Sequence, residues 1–483
     1  MLLAKDRRKA LCIDVKIRLI SPSYNFYAHE SIEFRKRKQN IAIFPPLNIA
    51  LLASLTPEKH QLELVDESVM VRDVDADVDL VGLGSVTRTA PRMYQLADRY
   101  RRLGVKVVLG GSHVTALPEE GLEHADAVVV GEADEIWEKV LADFDNGKPQ
   151  PIYRQDKFSS LKHLNTNRRS LLPQGGYYMP RTVQTSRGCP YNCSFCSVTS
   201  TFGSRYRNRP IEDVIEEIKE TPGPGFVVFT DDNILADRRR AKELFRALKD
   251  LNIIWASQAS INNGYNAELL RLAYESGCRG LFVGIESTSP ASLKEMKKDK
   301  VNKPQDYMRL IENFHRNGIR LLGAFVFGFD TDDVQTFQET VQFAINSKLD
   351  LAQFTILIPY PGTAVYEQLK KEGRLLHTNW ENYHHGSVVY QPNRMSPAQL
   401  QKGAEWVHNK FYCLNSKMKR LLRYDRYTPI YWILNNIFSN YKMDSSDASR
   451  MAGVIKCMLP LVDGKFRRND RGSFKGAEVK AEA

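Results

Sequence analysis

The stretch from Thr185 to Arg209, TSRGCPYNCSFCSVTSTFGSRYRNR, places Cys189, Cys193 and Cys196 at the spacing C-x3-C-x2-C. Three thiolates on one short loop are what a [4Fe–4S] cluster needs if protein is to hold three of its irons and leave the fourth open for chemistry. A closed structural zinc site wants four nitrogen or sulfur ligands, commonly in paired clusters, and the next Cys along the chain is Cys278. Zinc is therefore the weaker metal reading. The segment 182–184 reads as a strand and a helix is expected to begin near Pro210, so the thiols fall in the connection between a strand and a helix.

With Phe195 just before the last Cys, this loop resembles the signature of the radical S-adenosylmethionine (SAM) superfamily. The resemblance implies that Cys189, Cys193 and Cys196 are metal ligands and catalytic centre together, with Phe195 beside the bound SAM. It implies further that SAM chelates the open iron and that one electron splits it to methionine and a 5′-deoxyadenosyl radical, which takes a hydrogen atom from the substrate. A flavodoxin- or ferredoxin-type electron donor comes with that chemistry.

Downstream, strands are expected near 226–230, 253–258, 281–285, 321–327 and 354–358, with helices between them. Together with 182–184 they resemble the partial (β/α)6 barrel of radical SAM enzymes, in which functional groups sit at the C-terminal ends of strands. After the second strand, Phe229-Thr230-Asp231-Asp232-Asn233 resembles the family's F-x-D-D-N element, which implies SAM contacts for Asp231, Asp232 and Asn233. A carboxylate there suits a cationic amine, although Asp and Asn at a strand-to-helix turn are also favoured N-caps. Gly284-Ile285-Glu286-Ser287 matches the family's G-I-E-S, implying that Glu286 and Ser287 contact SAM; a charged residue where a strand meets a loop is the plain alternative. Phe327-Gly328-Phe329-Asp330 and Pro359-Tyr360-Pro361-Gly362-Thr363 would shape the pocket wall, and Arg205 is expected in a solvated basic loop.

Upstream, strands at 12–19, 61–66, 80–85, 106–109 and 127–130 alternate with helices at 48–55 and 92–103. Such alternation predicts an open, largely parallel sheet whose ligands bind beyond the carboxyl ends of its strands, where Gly82, Gly84, Gly110, Gly111 and Gly131 lie. The runs V-G-L-G-S-V-T (81–87), V-V-L-G-G-S-H (107–113) and V-V-V-G-E-A (128–133) resemble the Rossmann-like cobalamin-binding domain that precedes the barrel in the cobalamin-dependent branch of the superfamily. Contacts to cobalamin are implied for Gly84, Ser85, Thr87, Gly110, Gly111, Gly131 and Glu132. The D-x-H-x-x-G pattern that supplies a His to cobalt elsewhere is absent, so bound cobalamin is expected with its own base displaced. His113 is read as a hydrogen-bonding loop residue rather than a replacement ligand.

The expected division is a cobalamin-binding α/β domain at 10–146, a linker at 147–180, the barrel at 181–385, a mainly helical C-terminal region at 386–464 and a disordered tail at 465–483. The net charge of +11 is concentrated: from Gly386 onward there are 17 Lys and Arg against 8 Asp and Glu. A basic amphipathic segment at 418–438 could touch an anionic membrane surface, roof a hydrophobic pocket or pack on the barrel. Without aromatic and basic residues interleaved on a recognisable β scaffold, nucleic acid is not the expected partner. Seven Cys at irregular spacing argue against a disulfide scaffold, and charges interrupt any signal-like N-terminal run, so a cytoplasmic location is expected, with membrane association left open.

The cofactors implied are a [4Fe–4S] cluster, SAM and cobalamin. The function implied is a cobalamin-dependent radical SAM C-methyltransferase that acts at an unactivated carbon of a hydrophobic small molecule, lipid or tetrapyrrole-like, through the 5′-deoxyadenosyl radical and methylcobalamin. A cyclase or rearrangement enzyme with the same cofactors is the alternative. A cobalamin-dependent DNA-binding sensor is disfavoured by the intact Cys triplet, and a methylthiotransferase by the presence of only Cys12 before Cys189.

Overall fold

The computed structural model describes residues 15–23, 42–421 other than 71, 163, 165, 166 and 224, and 428–439. Two six-stranded sheets organise them. The first contains β1 (Lys16–Ser21), β2 (Gln61–Asp66), β3 (Leu80–Gly84), β4 (Lys106–Gly110), β5 (Ala127–Val130) and β6 (Ile152–Arg154) in the order β2-β1-β3-β4-β5-β6. Every pairing is parallel. Its central strands are near-continuous apolar runs because both faces are covered. One face packs on Met93, Leu96, Ala97 and Tyr100 of the helix Ala90–Arg102, the other on Ile49, Ala53, Trp137 and Val140. Strand order reverses between β1 and β3, and the crevice at that switch is where such sheets take ligands.

The helix expected at 92–103 begins instead at Ala90, because the 3-10 turn Thr87–Thr89 feeds directly into it and Pro91 fits its first turn. The stretch 147–180, read as linker, supplies the edge strand β6, paired with Val128–Val130. Three residues beside Pro149 and Pro151 were too short a run to show as a strand. The strand expected from Cys12 is described from Lys16; Cys12, Arg423, Arg426 and the tail at 465–483 lie outside the described residues.

The second sheet runs in sequence order from β7 (Thr182–Val183) through β10 (Phe226–Phe229), β11 (Ile254–Ser260), β12 (Cys278–Glu286) and β13 (Arg320–Phe327) to β14 (Leu351–Ile356). All its pairs are parallel, and they form the arc of a partial barrel. Between β7 and β10 lies an antiparallel hairpin of β8 (Ser186–Arg187) and β9 (Arg207–Asn208), and the Cys triplet sits in its loop.

An open arc leaves β14 as an edge, and the C-terminal helices cover it. The helix Pro397–Tyr412, started by a capping box between Ser396 and Gln399, brings the Tyr412 hydroxyl to β14, where it donates to the Ala352 carbonyl at 2.7 Å and accepts from the Ala352 amide at 3.1 Å. Arg420, from the basic amphipathic segment for which packing on the barrel was one expectation, is buried: it stacks over Phe411 at 3.6 Å and donates to the carbonyls of Leu349, Asp350 and Phe411. Among the described residues no helix is long and apolar enough to cross a membrane.

Candidate active site

Two adjacent carboxylates, one buried and one half-buried, set the shape of the Cys loop. Asp231, at the carboxyl end of β10, accepts from the Thr185 amide (3.1 Å), the Thr185 hydroxyl (2.7 Å) and the Ser186 hydroxyl. Its oxygens are thus committed to the base of the hairpin rather than turned to a ligand. Asp232 accepts from the Gly188 amide at 3.1 Å, and burial pushes its carboxyl up to about 6. Gly188 has φ +81°, and a Cβ there would lie 2.1 Å from the Arg205 carbonyl, so only glycine permits this turn into Cys189. Asn233 donates to the Ser260 hydroxyl at 3.0 Å, while its buried Oδ1 has no hydrogen-bond partner.

Beyond the turn, Ser194 fixes the loop's far side. Its amide donates to Met296 O, and its carbonyl accepts from the Val365 amide, both at 3.1 Å. Phe195 packs edge-on against Phe329 at 5.9 Å. The three thiols are half-buried and within electrostatic reach of one another. Burial pushes all three up, Cys193 to about 11. Among the described residues no three His, Cys, Asp or Glu side chains converge tightly enough to hold a single metal ion. Three free, half-buried thiols on one short loop are the donor chemistry of a cluster that takes one thiolate per iron.

Glu286 ends β12 in a left-handed conformation, φ +66°, where the β12–β13 register slips, and this turns its carboxylate inward to Lys298 at 2.5 Å. Both side chains are buried. Burial opposes the charge on Lys298, but the Glu286 carboxylate and the neighbouring Cys193 outweigh it and raise the ammonium above its ordinary value. The Ser287 hydroxyl accepts from the Ser289 amide at 3.0 Å and so closes a turn. Lys298 was not singled out in the sequence, where it is one Lys among several from Lys294 to Lys303.

Over the carboxyl ends of the first sheet opens a cavity of about 700 Å³. Gly84, Ser85, Gly110, Gly111, Gly131 and Glu132 line it, and Thr87 does not. From the barrel side its wall is the helix Ser197–Phe202, which starts directly after Cys196. Sequence reasoning missed this helix because Ser-Val-Thr-Ser-Thr is poor in helix formers. The cavity fits a large planar cofactor by two observations: Ser85 Oγ is buried without a partner, and Gly111, at φ +98°, leaves no room for a Cβ, which would meet Ser85 O at 2.3 Å. Val86, 58% exposed, presents its side chain to the same space. His113 lies outside it; its Nε2 meets Glu120 at 3.1 Å and its ring stacks edge-on with Trp380, whose Nε1 also donates to Glu120.

Glu132 has a different task from the one its position implied. It accepts from Arg207 at 2.7 and 2.8 Å and from Arg187 at 3.1 Å, while Arg187 also reaches Asp134 at 2.8 Å. Burial opposes the charge on Glu132, but Arg207, Gln155 and Arg187 lower its carboxyl to about 2. The Cys hairpin is thereby bolted to the first sheet. A last cluster, Arg88, Tyr360 and His385, gathers where the two sheets face each other. Tyr360 and His385 rings stand edge-on at 6.4 Å, and Arg88 lies within electrostatic reach of both. Surrounding protein, with His384 and Arg88 beside it, lowers the affinity of His385 for a proton.

Residues 183–344 match the family model described as the radical SAM superfamily, and residues 43–141 match that of the B12 binding domain. The chain is 32% identical over 374 residues to a bacteriochlorophyllide d C-8(2)-methyltransferase of Chlorobaculum tepidum, covering 73% of this chain and 82% of that one. It is 28% identical over 414 residues to the bacteriochlorophyllide d C-12(1)-methyltransferase of the same organism, covering 83% and 89%. Among solved structures, the radical SAM methyltransferase TsrM of Kitasatospora setae, with cobalamin and [4Fe-4S] cluster bound, superposes with a TM-score of 0.64 at 15% identity, covering 93% of this chain and 99% of that one.

The Glu132 joint and the cavity each yield a test. A carboxyl held at about 2 instead of 4.5 contributes about 3 kcal/mol. Its folded value is depressed, so that contribution is complete above the unfolded value of 4.5 and lost as pH falls towards 2. Denaturant titration of Glu132→Gln should show lower stability at pH 7 and a shallower loss than the parent on acidification; parallel curves would refute the joint. Val86→Trp should fill the cavity, so that anaerobically loaded protein loses cobalamin on gel filtration yet keeps its iron and sulfide. Full cobalamin retention would place that cofactor elsewhere.

Proposed function

The chain belongs to the cobalamin-binding radical SAM enzymes of the methyltransferase branch, with a [4Fe–4S] cluster, SAM and cobalamin as cofactors, and from that premise we propose that it methylates an unactivated carbon of a tetrapyrrole. The observation that carries the reading is the shared cavity, which has the glycine-bearing strand ends on one wall and the helix following Cys196 on the other. Because that helix runs on directly from Cys196, a cluster on the Cys triplet would stand one short helix from a cofactor in the cavity, so that a single substrate could be reached from both. Bound there, the cofactors supply radical generation and a transferable methyl group.

In this reading Cys189, Cys193 and Cys196 hold the cluster. The unpartnered Oδ1 of Asn233 and the carboxylate of Asp232 are acceptors for the SAM amine, and Asp231 positions the loop that carries them. Glu286 accepts from the SAM hydroxyls, and Lys298 pairs with that carboxylate and holds it in place. Phe195, on Phe329, helps exclude water, which a carbon radical requires. Ser85, Gly84, Gly110, Gly111 and Gly131 receive cobalamin. Both relatives named above act on bacteriochlorophyllides, which favours a tetrapyrrole over the lipid alternative.

Protein reconstituted without air and given SAM, a low-potential reductant and a bacteriochlorophyllide should yield a product one methylene heavier, together with S-adenosylhomocysteine and 5′-deoxyadenosine; Cys193→Ala should yield none of these. Release of 5′-deoxyadenosine with a cyclised product and no S-adenosylhomocysteine would replace methyl transfer with the cyclase outcome.

A further inference from the structure

The Cys loop has an outer side as well as one that faces the cavity. Ser194, between Cys193 and Phe195, is clasped there by two exposed segments: the end of the helix Pro290–Glu295 through Met296 O and Glu295 O, and the start of the helix Ala364–Lys371 through the Val365 amide. A separate recess of about 150 Å³ has Ser194 on its wall together with Lys297, Gln368 and Asp330. The loop that carries the thiols therefore reaches a surface dimple distinct from the cofactor cavity.

Lys297 stands on the wall of this dimple, and the chain on either side of it is basic. Lys294, Lys297, Lys300 and Lys303 are all exposed, and none of the four forms an ion pair among the described residues. Lys371, also exposed, shares a helix face with Gln368, one turn on. Of the acids nearby, Glu295 accepts from the amides of Asp330 and Thr331 and Asp330 pairs with Arg374, while Asp299 stands half-buried beside Lys300. Four unpaired ammonium groups within ten residues, beside a half-buried redox loop, form a surface that attracts and orients an acidic partner.

We propose that the exposed lysines Lys294, Lys297, Lys300 and Lys303 form the docking surface for an acidic, one-electron donor protein of the flavodoxin type. The inference rests on the cluster reading of the Cys triplet. In the step it serves, the donor's flavin hydroquinone loses one electron to its radical form and the oxidised cluster gains that electron. No atom is transferred to the cluster. Charge on these lysines governs encounter, so it sets the association rate and its salt dependence rather than the cluster's own properties.

The test uses the cluster-loaded full chain and compares the parent with Lys294→Glu/Lys297→Glu. Bleaching of the cluster absorbance is followed by stopped flow, once with flavodoxin hydroquinone and once with dithionite. With flavodoxin the double variant should be slower by about tenfold at low salt, and added salt should slow the parent but not the variant. With dithionite the two should match, which shows that cluster and fold are intact; failure of either chain to bleach with dithionite would defeat the cluster reading itself. Equal flavodoxin rates in parent and variant would overturn the docking surface. So would loss of binding to transfer RNA in the variant without any change in flavodoxin rate, which would make these lysines a nucleic-acid contact.

Discussion

A loop of three thiols presents them to one cluster only if its backbone is held from outside, and here two buried carboxylates do the holding. Asp231 ties the base of the hairpin to the barrel through Thr185 and Ser186, and Glu132 ties the same hairpin to the first sheet through Arg187 and Arg207. A buried carboxylate that receives several donors is stable, whereas removing its partners leaves an uncompensated charge. Both anchors are therefore all-or-none, and together they fix the Cys hairpin to both sheets.

The remaining architecture serves that juxtaposition. The reversal of strand order between β1 and β3 opens the crevice over the first sheet, and the helix Ser197–Phe202 closes it from the barrel side. Where the two sheets approach, small residues allow contact: a Cβ on Gly362 would lie 3.1 Å from Ala116 Cβ and 3.7 Å from Ser200 Cβ, so the loop after β14 meets both walls. At the opposite side Tyr412 and Arg420 satisfy the exposed edge of the barrel arc, which lets the lumen stay open without leaving β14 unpaired.

Much of the fold was legible because parallel strands buried on both faces read as apolar runs, as at Leu80–Gly84 and Ala127–Val130, and because the Cys triplet has so specific a spacing. Individual roles were less legible. Asp231 and Asp232 are adjacent and identical in type, yet one is an anchor and the other borders the thiols; only the pairing of β10 with β7 separates them. Glu132 stands at a strand end beside a glycine, where the sequence favoured a cofactor contact, but its partners Arg187 and Arg207 come from a hairpin more than fifty residues away. Lys298 and Arg420 were hidden for the same reason. A cation's burial depends on distant elements, and the local sequence around both is rich in other bases.

The central claim is that the cavity over the first sheet is walled by the helix that continues directly from Cys196, so that the two metal centres are neighbours. Electron paramagnetic resonance of the doubly loaded protein, with the cluster reduced and cobalt as Co(II), tests this directly. The account predicts that each signal is broadened or split by the other and relaxes faster than in protein loaded with one centre alone. Two unperturbed signals, superposable on the singly loaded spectra, would contradict it.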